Sequence, residues 1–411
     1  MTVRRVPIGQ RSETVRRANL SAIVGELHSR GPQSRSELVA RTGLTRSAIR
    51  GLIGELTKAG LVGEERAVPL GNPGRPSPLV RPEPEGVVVL ALEIAVDSLA
   101  VALVGLGGNV LASIRVDRPR DHVSVDAIVA DLVGLADQVL VPSRRRSAVI
   151  GVGVAVAGVV RRTDGFVSMA PNLGWRDVAL GERLTAGLGL AVPLEVANEA
   201  DLGALAEVRR GAARGADHVI YLSGEVGVGG GIIVDGRPLL GVAGYGGEIG
   251  HLPINPAGLR CACGSIGCWE TEVGASALLR RAGRATDGGR SEVTALLAAA
   301  AAGDPVALAA LEETGDWLGL GLAGLVNILN PGLVVFGGLF EHLYPFIERR
   351  VRATLDDRAL RAPRELVGLA PSALGDDAPL LGAAELAFEP FLADPARWLQ
   401  PRDSLLERAS A

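Results

Sequence analysis

An abrupt change of sequence pattern near residue 85 restricts the folds open to this 411-residue chain. Before it, apolar residues recur at helical spacing; after it come β-branched apolar runs of strand length. Residues 1–82, here called the head, contain 14 Lys and Arg against 6 Asp and Glu. Residues 83–411, the body, contain 28 against 40, so the net charges are +8 and −12. The pattern predicts two domains, of which the basic head meets a polyanion.

Three amphipathic segments in the head predict three helices. In the first and third, apolar residues occupy positions i, i+3, i+4 and i+7 of one face, namely Leu20, Ile23, Val24 and Leu27, then Ile49, Leu52, Ile53 and Leu56. Ser34 and Glu37 predict a capping box for the second helix, and Thr45 caps the third after a turn at Gly43. Three helices with a tight turn before the third indicate a helix-turn-helix.

Residues 61–80 indicate two short strands around a Gly- and Pro-rich tip, which makes the head a winged helix-turn-helix over residues 1–82. Recognition helices reach base edges near their N-terminus, and the side chains predicted to contact DNA there are Thr45, Arg46, Ser47 and Arg50. Arg75, in the tip, is predicted to enter a minor groove. The same pattern also fits a helical dimerisation module whose charged face is solvated.

The body alternates strand-like and helix-like segments. Apolar β-branched runs at 87–96, 98–108 and 149–158 predict strands, and the segments 295–304 and 316–330 predict buried helices. Strands followed by helices indicate an α/β body. The N-terminal residues lack an apolar run behind their basic side chains, and no apolar stretch reaches the ~20 residues of a membrane helix. We therefore expect a cytoplasmic protein without a membrane partner.

Five motifs in the body follow one another in the order of a known family. They are PNLGW at 171–175, VANEADLGALAE at 196–207, GVGGGIIVDG at 227–236, GEIGH at 247–251 and CACGSIGCWE at 261–270. On these residues the chain resembles the ROK family, named for repressors, open reading frames and sugar kinases, over essentially its whole length. The resemblance implies an α/β fold in which the winged helix-turn-helix precedes an actin-like (ribonuclease H-like), two-lobed ATPase-type domain at 83–411.

All three cysteines of the chain lie within eight positions, and a histidine precedes them by ten residues. One imidazole and three thiolates suffice for a closed tetrahedral Zn²⁺ site in the loop 251–268, with the ligands His251, Cys261, Cys263 and Cys268. Gly264 and Gly267 allow the tight turns that such a loop needs. The resemblance also implies zinc at these positions. Three buried structural cysteines and a redox sensor are the alternatives.

The polar residues of the same motifs are candidates for a sugar site, because paired carboxylates and amides suit the hydroxyl groups of a hexose. The resemblance implies that the residues holding the pyranose ring are Asn172, Asn198, Glu199, Glu248, His251 and Glu270. His251 would then contact both the sugar and the zinc ion. Taken singly, each of these residues is more often a surface or capping residue.

The phosphate-binding motifs depart from those of the family's kinases. Where the kinases have Asp-x-Gly-Gly-Thr, this chain has EIAVD at 93–97, and the side chains of Ala95 and Val96 stand where phosphate oxygens would lie. Glu225 brings a carboxylate to the second phosphate motif, and Glu199 takes the place of the aspartate base. We expect a degenerate kinase fold with no catalytic residue rather than a phosphotransferase.

Together these features predict a sugar-responsive transcriptional regulator, a repressor of carbohydrate-utilisation genes. It would bind operator DNA as a homodimer or homotetramer and so associate with the nucleoid, and a sugar in the body would change the spacing of two heads. Two alternatives remain. One is an active ROK kinase that phosphorylates a hexose with ATP and carries an appended head; the other is a regulator whose body docks another protein.

Overall fold

The computed structural model describes residues 12–65, 77–118, 124–140, 149–286 and 289–399. The elements of the head are α1 (Ser12–Arg30), β1 (Gln33–Ser34), α2 (Arg35–Thr42), α3 (Arg46–Lys58), β2 (Val62–Glu65) and β3 (Leu79–Pro82). The three predicted helices are confirmed. All eight apolar residues that define the predicted faces of α1 and α3 are buried.

Local capping sets where the helices of the head begin and end. Ser34 Oγ accepts from the N–H of Glu37, and a Glu37 carboxylate oxygen accepts from the N–H of Ser34 at 2.7 Å, so the predicted capping box is present. Gly43 ends α2 with a left-handed φ of 70°. Thr45 caps α3 by accepting from the N–H of Ala48. These local bonds fix the turn between α2 and α3.

The wing is a three-stranded antiparallel sheet of order β1-β3-β2. β2 and β3 confirm the two predicted strands, with Val62 opposite Pro82 and Glu65 opposite Leu79. β1 has two residues, too few to show a pattern in the sequence, and exists only through its pairing with β3. Arg75, the predicted minor-groove residue, lies outside the described residues.

Lobe 1 of the body, residues 83–198, contains β4 (Val88–Ile94), β5 (Ser98–Gly105), β6 (Asn109–Asp117), α4 (Val125–Leu140), β7 (Val149–Val156), β8 (Val159–Arg161), β9 (Phe166–Ala170), β10 (Trp175–Ala179), α5 (Leu180–Leu188) and β11 (Leu194–Asn198). Its main sheet has the order β11-β7-β4-β5-β6. β4, β5 and β6 are antiparallel, whereas β7 is parallel to both β4 and β11. β8, β9 and β10 form a separate antiparallel sheet.

Lobe 2, residues 199–377, contains α6 (Glu199–Arg210), β12 (Val219–Gly224), β13 (Val228–Val234), β14 (Arg237–Pro238), α7 (Glu270–Val273), α8 (Ala275–Arg281), α9 (Gly289–Ala301), α10 (Pro305–Leu329), β15 (Leu333–Gly338), α11 (Leu339–Arg358), α12 (Arg361–Leu366) and β16 (Gly368–Pro371). Its sheet has the order β14-β13-β12-β15-β16, with the same sequence of antiparallel and parallel pairs as lobe 1. Two sheets of matching topology make the predicted two-lobed α/β body.

Within the described ranges, no single helix is long and apolar enough to cross a membrane. α9 and α10 reach that hydrophobic length only together, as a pair bent by 109°. Much of α10 is buried inside lobe 2, where it packs against α11. Its apolar character is therefore that of a core helix.

A last helix, α13 (Ala378–Ala393), returns to lobe 1 and packs against α6. α13 lies on β4 and β7, whereas α6 lies on β12 and β13. Small residues set the close approach of the pair: a Cβ atom on Gly382 of α13 would lie 1.9 Å from the carbonyl oxygen of Leu202 in α6. The lobes therefore meet along two helices with no room for larger side chains.

One apolar cluster runs from the head into lobe 1. It joins Leu20 and Leu27 of α1 to Phe388 and Phe391 of α13 and to one face of β4. The junction itself is also tight, because a Cβ atom on Gly86 would lie 2.3 Å from the carbonyl oxygen of Gly60. The head is thus packed onto the body.

Candidate functional site

The six predicted sugar residues line one cavity with a volume of about 80 Å³. Asn172 follows β9, Asn198 and Glu199 begin α6, Glu248 and His251 lie at a single 3-10 turn, and Glu270 begins α7. Residues of lobe 1 and lobe 2 therefore meet in this cavity, here called the cleft. The structure brings together all six residues that the sequence motifs single out.

Asn198 is held by the backbone on both sides. Its Nδ2 donates to the carbonyl oxygen of Gly158 at 2.9 Å, and its Oδ1 accepts from the N–H groups of Ala200 and Asp201 at 2.7 and 3.4 Å. These bonds cap α6, so the capping role considered from the sequence is present. One N–H of the amide is left for a ligand. Asn198 thus fixes the start of α6 at the edge of the cleft.

The imidazole and the three thiols of the loop 251–268 form a second cluster beside the cleft. Their ligand atoms all lie within 4.8 Å of one another. Cys263 Sγ and Cys268 Sγ are 3.7 Å apart, and so are Cys261 Sγ and His251 Nδ1. A tetrahedral ion with bonds of ~2.3 Å separates its ligand atoms by about 3.8 Å. The cluster can hold a metal ion in this geometry.

His251 connects the metal-binding cluster to the cleft. Its Nδ1 faces Cys261, whereas its Nε2 lies 4.0 Å from a carboxylate oxygen of Glu248. Glu270 lies on the same boundary, because Cys261 Sγ donates to its Oε1 at 2.7 Å and the N–H of Val228 donates to its Oε2 at 3.4 Å. Two side chains are therefore shared by cluster and cleft, and such outer contacts orient a metal ligand.

A larger cavity of about 350 Å³ adjoins the cleft at Glu199. Ala95, Val96 and Glu225, from the altered phosphate motifs, line it. Its charged side chains are Glu93, Asp97, Asp117, Glu199, Glu225, Asp376, Arg115, Arg118 and Arg290. Six carboxyl groups and three guanidinium groups therefore face this cavity, here called the acidic cavity.

Burial raises the pKa of three carboxyl groups in the acidic cavity. The pKa of Glu199 rises to about 8, because desolvation disfavours its charge and neighbouring carboxylates add repulsion. Burial raises the pKa of Glu93 to about 7 against the attraction of Arg115, and that of Glu225 to about 7 against the attraction of Arg290. A protonated Glu199 can donate as well as accept a hydrogen bond near neutral pH.

Two arginines of the acidic cavity, Arg115 and Arg290, were not predicted from the sequence as site residues. Arg115, on β6, places Nη2 3.0 Å from Glu93 and 3.0 Å from Asp377, so it joins lobe 1 to the start of α13. Arg290, on α9, lies 3.5 Å from Glu225. Arg115 and Glu93 stand on different strands of one sheet, 22 positions apart, whereas Arg115 and Asp377 are 262 positions apart. No local periodicity or motif marks such residues, because only the assembly of the lobes brings them to one place.

The predicted DNA-contacting residues of the third helix are exposed at its start. They are Thr45, Arg46, Ser47 and Arg50. The opposite side of α3 is buried, with Ile49 and Ile53 in the core of the head. Two guanidinium groups are thus presented to solvent beside the turn that separates α2 from α3.

The chain belongs to the ROK family, because residues 89–389 match the model of that family. The xylose repressor of Bacillus subtilis (strain 168) is 28% identical over 380 residues, covering 92% of this chain and 97% of the repressor. The body makes up only about four fifths of the chain, so this match includes the head.

A glucokinase of Streptomyces coelicolor is 31% identical over 321 residues, covering 74% of this chain and 98% of that enzyme. A solved structure of a ROK family transcriptional regulator, a homologue of the E. coli MLC protein, matches with a TM-score of 0.73 and 25% identity. That match covers 97% of this chain and 100% of the other. The similarity to regulators therefore extends over head and body, whereas the glucokinase match is no longer than the body.

Proposed function

We propose that this chain is a sugar-responsive repressor that binds double-stranded operator DNA through its head. The observation that carries the proposal is the joining, in one chain, of an exposed basic face on α3 to a cleft lined by six candidate sugar-binding residues. The similarity to a xylose repressor over head and body supports it. Base contacts come from Thr45, Arg46, Ser47 and Arg50, and Arg75 enters the minor groove.

The repressor acts as a homodimer or homotetramer in the cytoplasm. A single small winged head makes few phosphate and base contacts, so two heads on one operator raise the affinity. Two-fold symmetry of the protein requires a palindromic or near-palindromic DNA site. A ligand that changes the spacing of the two heads then weakens the contacts of both heads with the two halves of the operator.

The effector is a pentose or hexose whose hydroxyl groups bond to the polar residues of the cleft. Glu248 and Glu270 accept from hydroxyls, Asn172 both donates and accepts, and protonated Glu199 donates. The cleft volume of about 80 Å³ lies below the ~300–1,000 Å³ of most small-molecule sites. We propose that the lobes change their angle when a sugar binds between them. A ligand shifts an equilibrium between two states only if it binds them with unequal affinity. Two angles between the lobes give the sugar different contacts, and so give the two states different affinities for it.

A Zn²⁺ ion held by His251, Cys261, Cys263 and Cys268 stabilises the loop beside the cleft. The donor set favours zinc, because three thiolates and one imidazole match its preferred ligands. Four protein ligands leave no open position, so the ion has a structural role and supplies no reaction chemistry. Held by its Nδ1, His251 presents Nε2 to the sugar and to Glu248.

The acidic cavity favours a sensor over a kinase. Phosphoryl transfer requires glycine-rich backbone and cations around the phosphates. In this chain Ala95, Val96 and Glu225, from the altered phosphate motifs, line the acidic cavity, and its arginines Arg115 and Arg290 are paired with carboxyl groups. Two observations favour the alternative, an active sugar kinase with an appended head. The body is similar to a glucokinase, and the carboxyl group of Glu199 lies between the cleft and the acidic cavity, where a base could act.

The proposal is tested by measuring operator affinity with and without sugar. The DNA is a duplex selected from a random-sequence library with the wild-type chain, and the sugars are D-xylose and D-glucose. We expect one of them to weaken operator binding by the roughly 5–150-fold typical of allosteric coupling. Glu248→Ala should abolish this response and leave sugar-free operator binding unchanged, because Glu248 lies in the body. Operator affinity that neither sugar alters would contradict the proposal.

A further inference from the structure

A buried ionic cluster lies where the head and both lobes meet. Its centre is the carboxylate of Glu385 on α13, of which 3% of the surface is exposed. His28, on α1 of the head, places Nε2 3.1 Å from Glu385 Oε2, and Nε of Arg210, the last residue of α6, donates to Oε1. The three residues come from the head, from the helix on lobe 1 and from the helix on lobe 2. We call them the junction cluster.

The contacts of Arg210 extend to backbone on two sides. Its Nη1 donates to the carbonyl oxygen of Gly107 at 2.9 Å and to that of His28 at 3.4 Å. The guanidinium lies against the backbone of Gly108, where a Cβ atom would be 2.0 Å from Arg210 Cζ. An arginine confined in this way cannot change position without breaking several hydrogen bonds.

Lobe 1 holds α1 near both of its ends, and at the C-terminal end His28 contacts Glu385 and accepts from the N–H of Gly107 at 3.1 Å. Ser21 Oγ donates to the carbonyl oxygen of Leu392 at 2.6 Å, and Arg17 pairs with Asp394 at 3.1 Å, so the N-terminal half of α1 follows α13 and lobe 1. Among the described residues, the hydrogen bonds from lobe 2 to the head come from Arg210 and from Arg214, whose Nη2 donates to the carbonyl oxygen of Ser29 at 2.7 Å. The acceptors of these bonds in the head are the carbonyl oxygens of His28 and Ser29, at the C-terminal end of α1.

Helix α6 connects this end of α1 to the cleft. It begins at Asn198 and Glu199, which line the cleft, and ends at Arg210. Twelve helical residues span about 18 Å at 1.5 Å per residue. α6 is one continuous helix, most of it buried. A shift of its first turn is therefore delivered to Arg210.

We infer that Arg210 and Arg214 are positioning residues that transmit movement of the lobes to the head. When the lobes change their angle, α1 stays with lobe 1, so the change appears as displacement of Arg210 and Arg214 against His28 and Ser29. The end of α1 leads directly into β1 and α2, and through them to α3. This inference rests on the proposed function, since the ligand that moves the lobes is the sugar of that proposal.

The first test measures coupling in variants that keep the fold. Arg210→Lys retains a cation beside Glu385 but loses the planar fork that also reaches Gly107 and His28. Arg214→Ala removes one surface contact with Ser29. The matched control is Arg209→Ala, a neighbouring exposed arginine at the same helix end. For each chain we measure the Kd of D-xylose and D-glucose without DNA, and the ratio of operator Kd with and without the effective sugar.

We expect the Kd of the sugar, measured without DNA, to stay within about twofold of the wild-type value in every variant. The ratio of operator Kd with and without sugar should be about 5–150 in wild type. It should fall toward one in Arg210→Lys and in the Arg210→Lys/Arg214→Ala double variant. Arg209→Ala should keep the wild-type ratio. A double variant with the wild-type ratio, or a control that loses the ratio equally, would overturn the inference. Circular dichroism and zinc content establish that each variant is folded.

A second measurement needs no DNA. In wild type, saturating D-xylose or D-glucose should change amide hydrogen exchange at residues 26–30, the end of α1, and in Arg210→Lys it should not. If wild-type exchange there is unaffected by a bound sugar, the inference is wrong. If exchange responds through Arg210 while operator affinity does not, the inference stands and the proposed repressor function fails.

Discussion

Gly267 lies directly against the carbonyl oxygen of Asn255, so that a Cβ atom on Gly267 would be 1.7 Å from it. The two residues also bond to each other, because the N–H of Asn255 donates to the carbonyl oxygen of Gly267 at 3.1 Å. Gly267 adopts a left-handed φ of 73°, immediately before Cys268. The turn that delivers this thiol to the metal-binding cluster therefore tolerates no side chain.

Gly267→Ala should lose metal, because a methyl group forces Gly267 and Asn255 apart and displaces the Cys268 thiol. Gly264→Ala is the matched control: its φ of 97° is also strained, but its Cβ atom meets open space. Backbone strain alone costs about 1–3 kcal/mol, and the clash at Gly267 adds a comparable amount. Zinc content and thermal midpoint measure the difference. Equal losses in the two variants would show that the contact with Asn255 is unimportant.

Cys263→Ser should remove zinc and lower the thermal midpoint, because a hydroxyl cannot replace a thiolate ligand of a structural ion. Wild type should contain one zinc ion per chain by elemental analysis. Ile266→Ala, at an exposed position within the same loop, is the control and should retain the metal. Wild-type protein purified without stoichiometric zinc would refute the assignment.

No ATP-dependent phosphorylation of D-glucose or D-xylose is expected. Replacing Ala95 and Val96 by glycine should not create activity, because Glu225 still opposes the phosphates. A coupled assay for ADP release measures this in wild type and in the double variant. Turnover in the ~1–100 s⁻¹ range usual for kinases would establish the alternative function.

The stability of the protein should fall as pH rises through the region where Glu199 ionises. Its pKa is about 8 in the folded chain and near 4.5 when solvated, so the stability it contributes is complete below about pH 4.5 and is lost as pH rises through about 8. Glu199→Gln should therefore lose less thermal stability than wild type between about pH 6 and pH 9. Glu182→Gln, at an exposed position, should behave like wild type. Identical pH profiles for Glu199→Gln and wild type would contradict the burial of this carboxyl.

Arg46→Ala or Arg50→Ala should weaken operator binding by about 1–3 kcal/mol and relax sequence preference at the contacted bases. Lys58→Ala, at the far end of the same helix, provides the control for loss of one positive charge. Affinity should also fall steeply with salt, since binding to phosphates releases counterions. The Kd of each protein variant for a series of operator sequences measures the sequence preference. The Kd for one operator at several salt concentrations measures the salt dependence. A uniform loss across all sequences would assign Arg46 and Arg50 to the phosphate backbone.

The sequence predicts the head well because its signals are local. The caps at Ser34 and Thr45 and the apolar faces of α1 and α3 each lie within a few residues, and all are present in the structure. β1 escapes prediction, since two residues become a strand only by pairing with β3, far along the chain.

The cleft is predictable for a different reason. No periodicity links Asn172 to Glu270; only the ordered family motifs place them together, and the structure does bring both to one cavity. The junction cluster has neither kind of signal. His28 and Glu385 are 357 positions apart, and each stands in a helix whose pattern gives no reason for a buried charge. Such pairs form only when helices and strands that are distant in the sequence pack together.

The apolar cluster shared by α1, α13 and β4 bears on what separating the head from the body would expose. Each lobe has a cluster of its own, whereas the apolar residues of the head belong to one that also includes β4, α13 and part of α6. Removing the head would therefore expose the apolar face of α13, and removing α13 would expose the apolar face of α1. A head joined to this body therefore needs an apolar surface to receive α1, and in this chain Phe388 and Phe391 of α13 provide it.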